Sequence, residues 1–388
     1  MPRDTGIMWE LFWRFLALGC VSFGGPAAHM GYFRAVFVER LKWLDEAAYG
    51  RLIALSQFLP GPSSSQVGFA IGYQRAGVAG GAAVFLGFTL PSFLLLFLLA
   101  TAGGTLTDTV YFGGFVKGLK LLAVVVVADA VLGMYSNFCR SRLTGALCIL
   151  TASALLIAPL MATQFAVLAT GALVGWRFLR APDAPPGGRL RFSWLPLTLF
   201  FILLLGLPFL VNLSPSVDLL SRFYQTGSLV FGGGHVVLPL LQQTVGEALS
   251  IDRFLLGYAA AQAIPGPMFA MSAFLGAEMM PDQALTGALI AALGIFLPGF
   301  LLIVAFHDTW ETLAKKPGAA GAVAGVNASV VGLLLAALYQ PVFVNAVFSA
   351  MDLSLVIIGF FMLRVIHLPI LALVAFFAIA GVLAAVPG

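Results

Sequence analysis

Gln57-Phe58-Leu59-Pro60-Gly61-Pro62 breaks a long apolar stretch with two prolines and a glycine, and Gln262-Ala263-Ile264-Pro265-Gly266-Pro267 breaks another in the same way 205 positions later. Two further segments keep nearly the same offset. Ser22-Phe23-Gly24-Gly25-Pro26 recurs as Val230-Phe231-Gly232-Gly233-Gly234, shifted by 208, and carries Glu10, Arg14 and Gly19 onto Asp218, Arg222 and Gly227. Pro91-Ser92-Phe93-Leu94 recurs as Pro298-Gly299-Phe300-Leu301 at a shift of 207. Ordered matches with such small gaps mark a duplicated chain. The first repeat covers 1–180, a basic linker and connecting helix cover 181–212, and the second repeat covers 213–388.

The surroundings of these motifs fix the medium. The 388 residues are 61% hydrophobic and only 9% charged, against roughly a quarter charged in soluble domains, so a water-soluble globule is excluded. Uncharged runs of 32 residues between Arg75 and Asp108 and of 35 between Lys316 and Asp352 exceed the roughly 20 that a spanning helix needs. They are continuous and not alternating, which excludes a barrel. The fold class is therefore an all-α polytopic membrane protein, and its 43 Gly and 21 Pro suit broken membrane helices. Acids nearly balance bases, so no nucleic-acid partner is expected. Cys20, Cys139 and Cys148 lack metal-like or paired spacing, and no nucleotide loop or nucleophile–base set is visible. Neither a metal, a cofactor nor an enzyme activity is expected. The start, Met1 to Trp9, is read as the lead into the first membrane element and not as a signal peptide.

The two repeats carry opposite charge bias. Residues 1–191 hold 15 Lys plus Arg against 8 Asp plus Glu, and residues 192–388 hold 5 against 8. Arg34, Arg40, Lys42 and Arg51 precede the first Pro-Gly-Pro, whereas only Arg253, with Glu247 and Asp252, precedes the second. The Thr105–Thr109 loop carries only Asp108, and its counterpart carries Lys315 and Lys316. Under the positive-inside rule this swap means that matching loops face opposite compartments. The repeats are inverted, with Phe192 to Asn212 turning the chain over and the linker Ala181 to Arg191 in the cytoplasm.

Counting crossings then constrains the motifs. Spans over Gly80–Ala102, Tyr111–Ser136, Leu143–Ile157 and Gln164–Phe178 leave Arg34 and Arg75 on one side. Met8 to Phe33 and Leu52 to Tyr73 must each enter and return, as re-entrant or broken helical hairpins. Arms of about 9 to 16 residues reach roughly 14 to 24 Å, short of the roughly 30 Å hydrocarbon core, so the tips stop inside the membrane.

A break there leaves helix-terminal groups that only protein or a watery cavity can satisfy. Gly24, Gly25, Gly232 and Gly233 form one pair of tips, and Gly61, Pro62 and Gly266 the other. After Pro62, Ser63 and Ser64, followed by Ser65 and Gln66, open a helix whose free N–H groups and partial positive charge attract anions. Close helix packing is the alternative reading of the same small residues. Arg14 and Arg222 occupy matching positions and offer forked donors to a tetrahedral dianion; equally, Glu10 and Asp218 four residues earlier suit local ion pairs. Gln57 and Gln262 could donate to substrate or to a neighbouring helix. His29 and His235 flank the first pair of tips as proton or gating candidates, or as structural histidines. Asp129 is a candidate proton carrier inside a span. Lys120, matched by Asn327, is a gating candidate or a snorkelling side chain.

With Phe23-Gly24-Gly25-Pro26-Ala27-Ala28-His29, Phe231-Gly232-Gly233-Gly234-His235 and the two Gln-x-x-Pro-Gly-Pro segments, the chain resembles the chromate ion transporter family in its long two-domain form. The resemblance implies a multi-pass protein of the bacterial inner membrane that exports chromate and confers resistance to it, with sulfate as the related oxyanion and the proton motive force as energy source. The family motif matches at Phe23, Gly24, Gly25 and Pro26, at Pro60, Gly61 and Pro62, and at their second-half partners. The expected partners are a chromate- or sulfate-like dianion, the lipid bilayer and a second copy of the chain. Uptake of sulfate or molybdate, and a membrane-bound chromate reductase or sensor, are the competing readings.

Overall fold

The computed structural model describes residues 2–23, 25–102, 110–179, 193–230, 237–309 and 317–385, and among them every regular element is a helix. The linker Ala181 to Arg191 and the loops carrying Asp108, Lys315 and Lys316 lie outside them. In the first repeat the helices are α1 (Pro2–Val21), α2 (Gly25–Phe33), α3 (Glu46–Phe58), α4 (Ser63–Ala102), α5 (Val110–Phe138), α6 (Arg142–Ile157) and α7 (Met161–Phe178). The connecting helix is α8 (Trp194–Leu210). The second repeat holds α9 (Pro215–Leu229), α10 (Val237–Val245), α11 (Ile251–Ala263), α12 (Met271–Met279), α13 (Ala284–Phe306), α14 (Pro317–Ala337), α15 (Ala350–Arg364) and α16 (Ile370–Ala385).

Capping side chains set several of the starts. Asp45 accepts from the Ala48 N–H ahead of α3, Ser141 and Thr144 form a reciprocal capping box on α6, and Ser214 caps α9 with Pro215 at its first position. These satisfy backbone donors that a helix end leaves free. Among the described residues, four helical segments are long and apolar enough to cross a membrane: Ser63–Ala102, Trp194–Leu213, Pro281–Phe306 and Gly318–Phe343. The longest is not one rod. Ala76 (φ −148°, ψ 28°) and Gly77 (φ 62°, ψ −153°) leave helical geometry, and a Cβ on Gly72 would stand 2.4 Å from the Gly80 carbonyl oxygen. Residues 63–75 therefore fold back on 78–102, and the second repeat does the same with α12 and α13, where Gly276 meets the Gly287 carbonyl at 2.2 Å on the same measure.

The first arm departs from the sequence expectation. α1 begins at Pro2 and runs for 20 residues, about 30 Å at 1.5 Å per residue, because Pro2 suits a first helical turn and no second proline follows before Pro26. The other arms keep the short lengths expected: 9 residues in α2 and 13 in α3.

The chain forms two compact units. One contains α1–α4, α8–α10, α12 and α13, that is, both pairs of motif breaks. Here α1 crosses 78–102 closely, with a Cβ on Gly19 falling 2.6 Å from the Phe88 carbonyl oxygen and one on Gly87 2.4 Å from that of Phe12. The matching contact in the second repeat joins Gly227 to the Ile295 carbonyl at 2.2 Å. Phe69 stacks on Phe300 with ring centroids 4.4 Å apart, and Phe85 packs on Phe296 and Phe300.

The other unit contains α5–α7, α11 and α14–α16. Gly118 of α5 abuts the Phe377 carbonyl while Gly381 of α16 abuts that of Gly114, so α5 and α16 run antiparallel. In the same way Gly175 of α7 faces Gly321 of α14 and Gly171 faces Gly325. Small residues let backbones approach in this manner inside a bilayer. Because α5, α6 and α7 are joined by connections of three residues, α5 and α7 share a direction, and α14, antiparallel to α7, opposes its own counterpart α5. The repeats are inverted within this unit. Ion pairs join α5 to its neighbours: Lys120 to Asp252, Lys117 to the buried Asp352 at 2.8 Å, and Asp129 to Arg364 at 3.0 Å.

Candidate functional site

The site grows from the Pro-Gly-Pro breaks. Gly61 has φ 131° and Gly266 φ 102°, a region that residues with a Cβ occupy only under strain. A Cβ on Gly61 would also stand 2.9 Å from the Gly299 Cα, and one on Gly266 2.9 Å from the Ser92 hydroxyl oxygen. Each break thus lodges against the Pro-Ser or Pro-Gly segment of the opposite repeat. Backbone hydrogen bonds complete the exchange: the Gly61 N–H donates to the Val230 carbonyl at 2.7 Å, and the Gly266 N–H donates to the Ser22 carbonyl at 2.9 Å. Three duplicated motifs, unremarkable singly, form one knot.

Around it sits a buried polar cluster. Ser63, Ser64 and Ser65 begin the returning arm, and Ser64 and Ser65 are 4% and 5% exposed. The Pro62 carbonyl accepts from the Gln66 N–H at 2.8 Å, closing the first helical turn and leaving the N–H groups of the serines directed out of the helix. The fully buried Gln66 amide donates to the Pro60 carbonyl at 2.9 Å and the Gly299 carbonyl at 3.3 Å. The Ser22, Ser65 and Thr89 hydroxyls and the Gln66 side-chain oxygen are buried with no partner among the described residues. Buried polar groups without partners are uncommon and point to water or a ligand. His29 joins this cluster, its ring between the Ser64 hydroxyl and the Ser22 carbonyl. A helix N-terminus with buried hydroxyl donors and no ion-paired carboxylate among its described residues can hold an oxyanion. A neighbouring crevice of about 390 Å³, lined by Phe69, Phe85, Leu199, Phe296 and Phe300, has an apolar wall and cannot.

Gly25, Gly61, Pro62, Ser63, Ser64, Gly266 and His29 all belong to the unit that holds the knot. Gly24, Gly232, Gly233 and His235 lie outside the described residues. Arg14 is held elsewhere: it pairs with Glu10 at 2.6 Å and lies over the Trp43 ring, whose centroid is also 4.3 Å from the Arg75 guanidinium. Arg75 ends the arm that Ser63 begins, so this cluster is a helix length from the break. Arg222 pairs with Asp218 at 2.9 Å and donates to the Thr244 carbonyl. Gln57 is exposed on α3, while Gln262 lies on α11 in the other unit and hydrogen-bonds Tyr258. Lys120 and Asp129 belong to that other unit too, each in an ion pair.

Sequence reasoning placed Gln66 only in the segment that opens the helix and Ser22 only in a repeated motif, with no side-chain role for either, although Gln66 lies four residues past Pro62, where an amide can reach back to the turn. It also treated Pro91-Ser92 and Pro298-Gly299 only as markers of duplication. Their partner was the other repeat's break, which no local pattern announces.

The sequence profile of the chromate transporter family matches residues 9–176 and again 217–382. The chain is 30% identical over 344 residues to the chromate transport protein of Cupriavidus metallidurans, covering 84% of this chain and 81% of that one. It is 27% identical over 346 residues to the chromate transport protein of Pseudomonas aeruginosa, covering 84% and 79%. An uncharacterized transporter of Methanocaldococcus jannaschii is 27% identical over 348 residues, covering 86% and 84%. No solved structure matches. Both halves carry the family profile, and the breaks they share meet in one polar knot: the chain belongs to the chromate transporter family.

Proposed function

We propose that the protein exports chromate across the bacterial inner membrane, with the anion held at the Pro-Gly-Pro knot and the membrane potential or proton motive force driving it outward. The observation that carries this reading is the reciprocal seating of the two breaks beside the buried helix start at Ser63–Ser65. A membrane-embedded helix N-terminus with buried donors suits a tetrahedral dianion, and inverted repeats crossing at such a site are the usual frame for alternating access. Arg14 and Arg222, away from the breaks, serve as recruiting charges at the mouths. Gly24, Gly232, Gly233 and Gln57 belong to the same proposed pathway. The linker is cytoplasmic in this arrangement.

Energetics supplies the direction. One elementary charge exchanges about 2.3 kcal/mol per 100 mV, so moving a dianion out of an inside-negative cell gains roughly 4.6 kcal/mol per 100 mV. Uptake would need at least three monovalent cations per anion to become electrically favourable. Chromate-loaded liposomes containing the purified protein should lose chromate faster under an inside-negative potential than at zero potential. Flux that ignores chromate but carries sulfate or molybdate inward would replace export with uptake, and loss of chromium(VI) without movement would point to reduction.

A further inference from the structure

His29 is 1% exposed, and its two ring nitrogens have different neighbours. Nε2 lies 3.2 Å from the Ser22 carbonyl oxygen and Nδ1 lies 3.1 Å from the Ser64 hydroxyl. A carbonyl can only accept, so Nε2 carries a proton. In the neutral ring Nδ1 must then accept, and the Ser64 hydroxyl spends its proton on the ring. When Nδ1 is protonated the bond reverses. Nδ1 donates to the Ser64 oxygen, and the Ser64 O–H becomes free to donate elsewhere, in the first turn of a 13-residue helical arm (63–75).

We propose that His29 and Ser64 form a proton-coupled oxyanion donor, in which one proton taken up by His29 releases the Ser64 hydroxyl to the bound anion. This rests on the transport reading above and narrows its driving force: proton and anion are held together, so export is driven by the membrane potential acting on one net negative charge and not by proton exchange. A charge on a buried ring is costly unless paired, and the oxyanion supplies the pair. From the packed elements, His29 meets the Ser22 turn, Ser64 and the ring of Phe88, perpendicular to its own. On α3, Tyr49 donates to the carbonyl of Met30, the residue after His29. Among the described residues no carboxylate, lysine or arginine hydrogen-bonds the ring. Independent support comes from the same turn, where the Ser65 hydroxyl, a second donor, is buried without a described partner. The Ser22 carbonyl that receives Nε2–H also receives the Gly266 N–H, so the proton state of His29 bears directly on a bond that joins the repeats.

Coupling of this kind is reciprocal: a proton tightens the anion and the anion tightens the proton by the same factor. Calorimetric titration of the full-length protein with chromate, in buffers of different ionisation enthalpy, counts protons taken up per anion. Subtracting the His29→Gln variant cancels chromate's own protonation. Wild-type protein should take up more protons than His29→Gln. Ser64→Ala should weaken binding about tenfold near pH 6, the loss of one charge-assisted donor, and by less near pH 8, while Ser64→Thr restores it. Equal proton uptake in wild type and His29→Gln, or a Ser64→Ala loss independent of pH, overturns the coupling; the second measurement stands even if His29→Gln does not fold. Wild-type protein that binds no chromate at any pH overturns the transport reading, and the coupling with it.

Discussion

The Gly61 N–H reaches the Val230 carbonyl at 2.7 Å, and 205 positions on the Gly266 N–H reaches the Ser22 carbonyl at 2.9 Å. Each repeat therefore supplies the donor for one bond and the acceptor for the other. Neither hairpin tip can be completed by its own repeat.

This reciprocity makes Gly61→Ala and Gly266→Ala severe. Both positions have positive φ, and at Gly61 the new methyl group meets backbone as well as the Gln66 amide. Backbone strain alone costs on the order of 1–3 kcal/mol. Either variant should lower the thermal midpoint by several degrees and abolish chromate flux. Gly50→Ala in α3, where a Cβ has nothing within 4 Å, is the matched control and should fold and transport as wild type. Full flux in Gly61→Ala would show that the tip does not need this seating.

The helix crossings of the second unit give a different expectation. A Cβ on Gly118 would fall 1.9 Å from the Phe377 carbonyl oxygen, and one on Gly325 1.9 Å from that of Gly171. Backbone cannot yield as a side-chain end can, so α5 must part from α16, or α14 from α7. Gly118→Ala and Gly325→Ala should each cost stability in the overpacking range, about 1–3 kcal/mol, seen as reduced yield and a lower melting temperature. Gly133→Ala, in open space on α5, should not.

Much of this was legible in the sequence, and the reason is periodicity. Uncharged runs placed the spans, and duplicated Pro-Gly-Pro and Gly-Gly motifs placed the breaks, because both are local properties of the chain. Partners across the repeats were not local. The offset of 207 put Gly299 on Ser92 without showing that Gly61 and Gly266 would rest against them. The glycines of α5 and α14 were equally readable: Gly114-x-x-x-Gly118 and Gly321-x-x-x-Gly325 are small-residue pairs one turn apart, a pattern that announces close membrane crossings. Arg14 shows the opposite limit. Symmetry with Arg222 made it look like a ligand pair, and sequence could not say whether Glu10 or an anion would claim it.

The recruiting role proposed for Arg14 and Arg222 sets a kinetic signature. Both are roughly two-fifths exposed and paired within one helical turn, so removing either should cost less than about 1 kcal/mol of stability. Charges at a mouth raise the local concentration of an oppositely charged substrate. Arg14→Ala and Arg222→Ala should therefore raise the apparent KM for chromate while leaving the maximal rate nearly intact, and the difference from wild type should shrink as salt is added. A fall in maximal rate at saturating chromate would instead put the guanidinium beside the bound anion.

Gln66 is the side chain through which the knot and the helix start are joined. Its amide is fully buried and serves the Pro60 and Gly299 carbonyls, one from each repeat. Gln66→Met keeps most of the volume but strands both acceptors, at about 1–3 kcal/mol for a buried group left unsatisfied. Gln66→Glu does the same and adds a negative charge at the position proposed to hold a dianion. Both variants should be less stable than wild type by similar amounts. They should differ in binding: Gln66→Met should retain measurable chromate affinity at low temperature, whereas Gln66→Glu should lose it through like-charge repulsion. Equal chromate affinity in the two, measured by calorimetry on folded protein, would move the anion site away from the first turn after Pro62.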